Sequence, residues 1–222
     1  MTDGKIVIGT RRYSSWSLRG WLAVRLARLD VEEVVIPLRG GATPDVQAAT
    51  PAGLVPYLEH RGARVWESLA ICAYCAEFEP ALFPADRVAR AHAWAIAAEM
   101  HAGFRELRLA MPMNLGRSFP GMGRTPGALA DIARIQTIWR ETRASHGTDG
   151  PYLFGNGFGA ADAMFAPVVA RFLTYEPDLA DTTRAYCGAV RAHPLVDDWY
   201  RLAAAEPASW LLDKYENPAT PA

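Results

Sequence analysis

The sequence predicts an α/β domain followed by an all-α domain, and three observations lead to that prediction. Strand-like and helix-like patterns alternate over the first 80 residues, a linker with two prolines follows, and only helical spacing recurs beyond it. We therefore expect one domain at residues 1–80 and a second at residues 87–222. A chain of 222 residues, half of them hydrophobic, is long enough to bury a substantial core.

The first domain has the predicted order β-α-β-(α)-β-β-α. Apolar alternation and β-branched residues predict strands in KIVIGT (5–10), VEEVVIPL (31–38), VPYLEH and RVWE. Apolar residues at helical spacing predict a helix from Ser17 to about Leu29 and another from Ser68 to Glu79. A short helix is expected before Pro51.

The second domain carries helical spacing in every periodic segment, so we predict no strand there. The predicted helices are Arg87–Met111, about Thr125–His146, Ala160–Tyr175, Leu179–Ala192 and Leu195–Ala205. The closing residues NPATPA have the composition of a loose tail.

The helix that follows Arg87 has two faces. Small residues at three- and four-residue spacing permit close helix packing, and they are Val88, Ala91, Ala95, Ala98 and Ala102. The other face carries larger side chains, namely Ile96, Met100, Phe104, Leu107 and Met111. Such stripes usually form core. If the larger face borders a cleft, then Phe104, Met111 and the nearby Met113 suit a pocket for varied apolar ligands.

The bulk composition argues against several classes of partner. A net charge of −1, from 23 basic and 24 acidic residues, gives no electrostatic footprint for nucleic acid or for an anionic membrane. No apolar run reaches the roughly 18 residues of a membrane span, and the N-terminus lacks the pattern of a secretory signal, so we expect a cytoplasmic protein. The scattered histidines predict no metal site.

The three cysteines predict no redox function. Cys72 and Cys75 form a C-x-x-C, but they lie in the middle of a predicted helix, whereas a redox pair belongs at a helix N-terminus. We expect buried thiols. The turn after the first strand has the sequence S-S-W-S and contains no cysteine.

Two adjacent serines stand at the start of the first predicted helix, in YSSWSLRGWLAVRL. A strand, a tight turn and a helix place side-chain hydroxyls beside free backbone N–H groups, which favours an anionic ligand. Serine is also a preferred N-cap. The residues alone leave both roles open for Ser14 and Ser15.

Two further stretches of the first domain suit ligand binding. In PAGLVPYLE a cis Val55–Pro56 bond would turn the backbone of Val55 toward an extended ligand, although an ordinary trans edge-strand proline is the alternative. In VWESLAI, Ser68 can cap the next helix and hold a carboxylate, while Glu67 suits an ammonium group. Together Glu67 and Ser68 match the charged ends of an α-amino acid.

Taken in order, the motifs resemble those of the glutathione S-transferase family. They are SSWSLR, LVP at 54–56, ESLAI at 67–71 and GAADAMFAP at 159–167, and the resemblance spans essentially the whole chain. It implies a thioredoxin-like first domain, an all-helical second domain, glutathione as cosubstrate without a metal, and a homodimer. The small-residue face of the Arg87 helix gives weak support for the homodimer.

The resemblance also implies roles for individual residues. A serine, Ser14 or Ser15, donates a hydrogen bond to the glutathione sulfur. The zeta-like run favours Ser14, while Ser15 lies at the distance from Arg19 seen in other serine-type members. The backbone of Val55 pairs with the cysteinyl part, with Leu54 and Pro56 beside it as glutathione-binding residues, and Glu67 with Ser68 holds the γ-glutamyl end. Asp162 belongs to a helix-capping box that serves folding. The apolar pocket is assigned to Trp16, Phe104, Met111 and Met113.

The implied activity is conjugation of glutathione to an electrophilic apolar small molecule, as in detoxification. One alternative is the isomerisation of maleylacetoacetate that characterises the zeta class, but Trp16 stands where that class has a cysteine. Another is a non-catalytic binding or regulatory protein with the same fold. Arg19, near the start of the first helix, is assigned a structural role, and Arg11 or Arg12 could reach a glycyl carboxylate.

Overall fold

A four-stranded sheet forms the centre of the first domain in the computed structural model, which describes residues 2–217. The strands are β1 (Gly4–Gly9), β2 (Glu32–Ile36), β3 (Tyr57–His60) and β4 (Ala63–Trp66), in the order β2-β1-β3-β4. β1 is parallel to β2 and antiparallel to β3, and β3 is antiparallel to β4. The predicted alternation of strands and helices is confirmed.

Three helices cover the two faces of this sheet: α1 (Ser15–Leu26), α2 (Pro44–Ala49) and α3 (Ser68–Ala76). Side chains alternate across a strand, so Ile6 and Ile8 join the main core with α1 and α3, while Val7 packs with Val46 of α2 on the opposite face. α1 begins two residues earlier than predicted because Ser14 is its N-cap.

The second domain is helical throughout its described part. Its helices are α4 (Arg87–Ala102), α5 (Arg105–Ala110), α6 (Pro126–His146), α7 (Ala160–Tyr175), α8 (Asp181–Arg191), α9 (Pro194–Ala204) and α10 (Asp213–Glu216). Short 3₁₀ turns occupy Pro80–Leu82 and Ala208–Trp210. Between residues 87 and 217 the only β-type pairing is one isolated bridge, from Tyr152 to Gly155.

The prediction of one continuous helix over Arg87–Met111 is wrong. The helix ends at Ala102, and Phe104 has a φ of 57°, in the left-handed region that cannot continue a right-handed helix. Gly103 closes α4 with its N–H bonded to the Glu99 carbonyl. The short helix α10 was not predicted from the sequence. Of the predicted tail NPATPA, Asn217 is described and the other five residues lie outside the described part.

α7 is the central helix of the second domain, since it packs against α1, α4 and α8 and almost all of its residues are buried. At its start the Asp162 carboxylate accepts hydrogen bonds from the N–H groups of Leu153 and Gly159 and from the Tyr186 hydroxyl, at 2.9–3.1 Å. Gly159 has no side chain, so only the aspartate half of the capping box exists. Burial raises the pKa of Asp162 to about 6.

α1 connects the two domains. Arg19 is fully buried and donates from Nε to the Met164 carbonyl of α7 at 2.7 Å. Cys72 and Cys75, on the neighbouring α3, are buried as expected, and burial raises the pKa of the Cys72 thiol to about 12. The hydrogen bond from Arg19 to Met164 holds the N-terminal half of α1 against the helical domain.

Candidate active site

A cleft between the two domains contains most of the residues predicted to bind a ligand. It consists of a larger cavity of about 690 Å³ and a smaller one of about 280 Å³. Ser14, Ser15 and Met113 line the larger cavity, and Pro56, Glu67 and Ser68 line the smaller. Trp16, Leu54 and Val55 border both cavities. The Val55–Pro56 peptide bond is cis.

Ser14 is occupied by its capping role. Its Oγ accepts a hydrogen bond from the Ser17 N–H at 3.3 Å and donates to the Ser17 Oγ at 2.7 Å. Ser17 in turn accepts from the Gly9 N–H at the end of β1. The Ser14 hydroxyl therefore ties the first turn of α1 to the strand before it.

Ser15 has a different environment. Its Oγ accepts a hydrogen bond from Nη2 of Arg171 at 3.4 Å, and this arginine comes from α7 of the helical domain. A hydroxyl has one proton to donate, and a bond in which it only accepts leaves that proton free. The Ser15 side chain thus combines a positioned oxygen with an available donor at the wall of the larger cavity.

Tyr13, the third hydroxyl residue at this turn, is committed elsewhere. Its OH donates to Oε1 of Glu216 at 2.6 Å. Burial and the Glu216 carboxylate raise the pKa of Tyr13 to about 12, so the phenol keeps its proton. Glu216 also accepts from Arg12 and Asn114, which fixes α10 against the first domain. This contact places Tyr215 on the wall of the larger cavity.

Three arginines surround Trp16 and Ser15. The Arg19 guanidinium lies 4.3 Å from the Trp16 ring centroid and that of Arg108 lies at 5.4 Å. Arg171 is buried and also donates to the carbonyls of Met111 and Pro167. Burial lowers the pKa of Arg171 to about 10, which leaves the group protonated at neutral pH. Arg108 and Arg171 line the larger cavity, and no aspartate or glutamate among residues 2–217 does.

The smaller cavity has the opposite charge. Glu67, and not Ser68 as predicted, is the N-cap of α3, and it has a φ of 67°. Its carboxylate is half exposed and lies 3.5 Å from Nε2 of His101 of α4. Ser68 is the first residue of the helix, and its hydroxyl faces the sulfur of Met164 at 3.9 Å. Because Glu67 makes no side-chain cap bond, its carboxylate is available to a cationic group of a ligand.

The predicted apolar pocket is corrected in part. Trp16 and Met113 line the larger cavity, but Phe104 and Met111 do not. Phe104 and Met111 are buried in the main core, because the break between α4 and α5 redirects the chain at Phe104. Met111 still contributes its backbone carbonyl, which accepts from Nε of Arg171.

Among the lining residues that the sequence did not predict are Arg108, Arg171, His101 and Tyr215. Arg171 had a usable signal, since it is the single cation in the mostly apolar run AADAMFAPVVARF. Tyr215 had none, because its position depends on the contacts of Glu216 with distant residues. Arg11 and Arg12, considered for a glycyl carboxylate, instead pair with the carboxylates of Glu33 and Glu216.

Neither a metal site nor a membrane span is visible in the described region. Residues 2–217 contain no group of three or more His, Cys, Asp or Glu side chains able to hold a metal ion. No helix within the same range is long and apolar enough to cross a bilayer.

Comparison with known proteins supports the same architecture. Residues 13–77 match the family model described as glutathione S-transferase, N-terminal domain, and residues 95–202 match glutathione S-transferase, C-terminal domain. A probable maleylacetoacetate isomerase of Caenorhabditis elegans is 28% identical over 184 residues, which cover 81% of this chain and 85% of the relative.

Two solved structures that contain glutathione have the same fold. A glutathione transferase homolog from Burkholderia GL BGR1 has a TM-score of 0.69 at 20% identity, covering 91% of this chain and 99% of the other. A theta class glutathione S-transferase from Xanthomonas axonopodis pv. citri has a TM-score of 0.65 at 22% identity, covering 93% and 99%. The predicted thioredoxin-like and all-helical domains are confirmed. Because the two family models together match most of the chain, it belongs to the glutathione S-transferase family.

Proposed function

We propose that this protein conjugates glutathione to an electrophilic small molecule, with Ser15 as the donor to the glutathione sulfur. The observation that carries the proposal is the bond in which Ser15 only accepts, from Arg171 at 3.4 Å, at the wall of the cleft. The sequence favoured Ser14, but the cap to Ser17 engages that hydroxyl. Ser15 is therefore the better candidate.

The chemistry required is stabilisation of a thiolate. A thiol with a pKa near 8.5 is only a few per cent ionised at pH 7, and the thiolate is the nucleophile. Lowering that pKa by about two units requires about 2.7 kcal/mol of preferential stabilisation. A hydroxyl donor, the positive end of α1 and the nearby Arg171 and Arg108 all favour negative charge at the sulfur.

The charges of the cleft support one orientation of glutathione. With the sulfur at Ser15, the cysteinyl backbone would pair with Val55, and the γ-glutamyl ammonium would approach Glu67 in the smaller cavity. The backbone N–H at Ser68, in the uncapped first turn of α3, suits the carboxylate of the same end. The electrophile would then occupy the larger cavity beside Trp16, Met113 and Tyr215.

Calorimetry and a conjugation assay test this proposal together. We expect saturable binding of glutathione and conjugation to 1-chloro-2,4-dinitrobenzene by the wild type. The loss of one preorganised donor in Ser15→Ala should lower kcat by about 100-fold. Binding without conjugation of any electrophile in a chemically varied panel would favour the non-catalytic alternative. The absence of binding heat would contradict the proposal outright.

A second candidate function is glutathione-dependent cis-trans isomerisation. Two observations favour it: Arg108 and Arg171 line the larger cavity and suit a carboxylate-bearing substrate, and a relative at 28% identity is a probable maleylacetoacetate isomerase. Glutathione is consumed in conjugation and regenerated in isomerisation. Following free thiol during turnover of maleylacetoacetate distinguishes the two reactions.

We also propose that the chain forms a homodimer. The small-residue face predicted on α4 is exposed at every position, namely Val88, Ala91, Ala95, Ala98 and Ala102. Burial of this face against a second copy would remove exposed apolar surface from water. Light scattering of the wild type and of Ala95→Glu tests the assembly, with a dimer expected for the first and a monomer for the second.

A further inference from the structure

A separate cavity of about 390 Å³ lies within the helical domain, and none of its lining residues borders the cleft. Its walls come from the end of α6, from the loop that follows α6 and from the first turns of α8. A volume of this size accommodates a small organic molecule. The side chains that line the cavity therefore indicate which class of small molecule it binds.

The charge of this distal cavity is positive. Arg140 and Arg143 of α6 line it, and its described lining includes no aspartate or glutamate. Arg143 is held in place because its Nη2 donates to the Gly150 carbonyl at 3.3 Å and its guanidinium lies 5.9 Å from the centroid of the Tyr186 ring. The nearby carboxylate of Glu141, 3.5 Å from Nη2 of Arg140, is mostly exposed to solvent.

The first turn of α8 adds hydrogen-bond donors to the wall. Thr182 and Thr183 bring hydroxyls from the first turn of α8. The N-cap of that helix is Ala180, whose side chain cannot accept from the free N–H groups. Free N–H groups at the N-terminus of a helix favour an anion beside them.

We infer that the distal cavity binds a small molecule bearing a phosphate or carboxylate group. The guanidinium groups of Arg140 and Arg143 and the hydroxyls of Thr182 and Thr183 would hold the anionic group. The exposed side chains of Ala144 and Ala185 and the aliphatic stems of the arginines would border its apolar body. The site is independent of the proposed glutathione reaction, since it shares no residue with the cleft.

Calorimetric titration at constant ionic strength tests the inference, with inorganic phosphate and benzoate as separate probes and sodium chloride as the blank. We expect one saturable site for at least one probe, and the probe that binds identifies the anionic group. The double variant Arg140→Gln/Arg143→Gln should weaken binding at least tenfold. Arg184→Gln, which removes an exposed arginine of α8 outside the cavity, should leave it unchanged.

A single variant guards against misfolding of the double variant, and a competition experiment distinguishes the distal cavity from the cleft. Arg140→Gln alone changes a largely exposed side chain, so it tests the site if the double variant does not fold, and it should weaken binding at least threefold. Saturating S-hexylglutathione should not displace the anion. Displacement, the absence of saturable heat from both probes, or equal affinity in the arginine variants would overturn the inference.

Discussion

The two ends of the cleft differ in charge and in construction. The larger cavity is bordered by Arg108 and Arg171, whereas the smaller one is bordered by Glu67. Trp16 lies between them and belongs to both. A ligand with a developing negative charge at one end and an ammonium group at the other is therefore oriented by the cleft itself. Under the proposed function, these two groups are the sulfur and the γ-glutamyl amine of glutathione.

The two ends also differ in energetic cost. Arg19 and Arg171 are buried cations, and the Nη1 and Nη2 groups of Arg19 have no acceptor within residues 2–217. A buried charge without a carboxylate partner costs several kcal/mol on the scale of ion desolvation. Glu67 is half exposed and carries little such cost. The larger cavity is therefore bordered by a buried cation, Arg171, whose burial costs stability, whereas the carboxylate of the smaller cavity carries little such cost.

Among substitutions at the two ends of the cleft, Arg171→Met is expected to lower the activity most. It removes the cation that bonds to Ser15 and keeps much of the side-chain volume. We expect kcat/KM for conjugation to fall about 100-fold, in the range found for removing one preorganised group that stabilises charge. The free energy of unfolding should be affected less than the activity. The substitution removes the hydrogen bonds of the guanidinium, but it also removes the cost of burying its charge.

Steady-state kinetics and thermal unfolding measure these two effects separately. Arg184→Met, at an exposed arginine of α8, is the control and should match the wild type in both. A fall in melting temperature with full activity in the folded fraction would show that Arg171 is only structural.

Glu67→Gln addresses the opposite end of the cleft. It removes the negative charge of the smaller cavity while keeping the shape, so the ammonium group of glutathione loses its partner. We expect the KM for glutathione to rise about tenfold, equivalent to about 1.4 kcal/mol, with kcat nearly unchanged. Glu77→Gln, just beyond the end of α3, is the matched control. A fall in kcat at constant KM would assign Glu67 to the chemical step instead.

Ser14→Ala should have the smallest effect of the three, and on stability alone. Removal of a serine N-cap costs about 1 kcal/mol of unfolding free energy. Thr125→Ala, which removes the equivalent cap of α6, should cost a similar amount. Chemical denaturation of both variants measures these losses. A loss of conjugation in Ser14→Ala that Thr125→Ala does not share would return the donor role to Ser14.

Much of the fold was predictable because it rests on local patterns. The alternation in KIVIGT and the apolar spacing of Ala160–Tyr175 each correspond to an element of the structure, β1 and α7. The break at Gly103 and Phe104 was missed because apolar spacing continues through it, from Met100 to Leu107. A phenylalanine whose backbone lies in the left-handed region is held there by tertiary packing, which leaves no local pattern in the sequence.

The site was predictable mainly on the side of the first domain, and Met113 is the one predicted pocket residue of the second domain that lines the cleft. Ser15 and Glu67 follow β1 and β4, and Val55 comes just before β3, so local motifs at the strand ends expose all three to a ligand. Arg108 and Tyr215 come from elements far away in the chain, so their position depends on domain packing. The proposal of Ser15 over Ser14 rests on contacts that the sequence does not reveal, since Ser14 caps α1 and Ser15 contacts Arg171.

The pKa of the bound glutathione thiol tests the central claim most directly. Thiolate absorbance near 240 nm, recorded against pH with glutathione saturating, gives this value for the wild type, Ser14→Ala and Ser15→Ala. We expect a thiol pKa about two units below 8.5 for the wild type and for Ser14→Ala, and a rise of at least one unit in Ser15→Ala. An unchanged thiol pKa in Ser15→Ala, or an equal rise in both variants, would contradict the account.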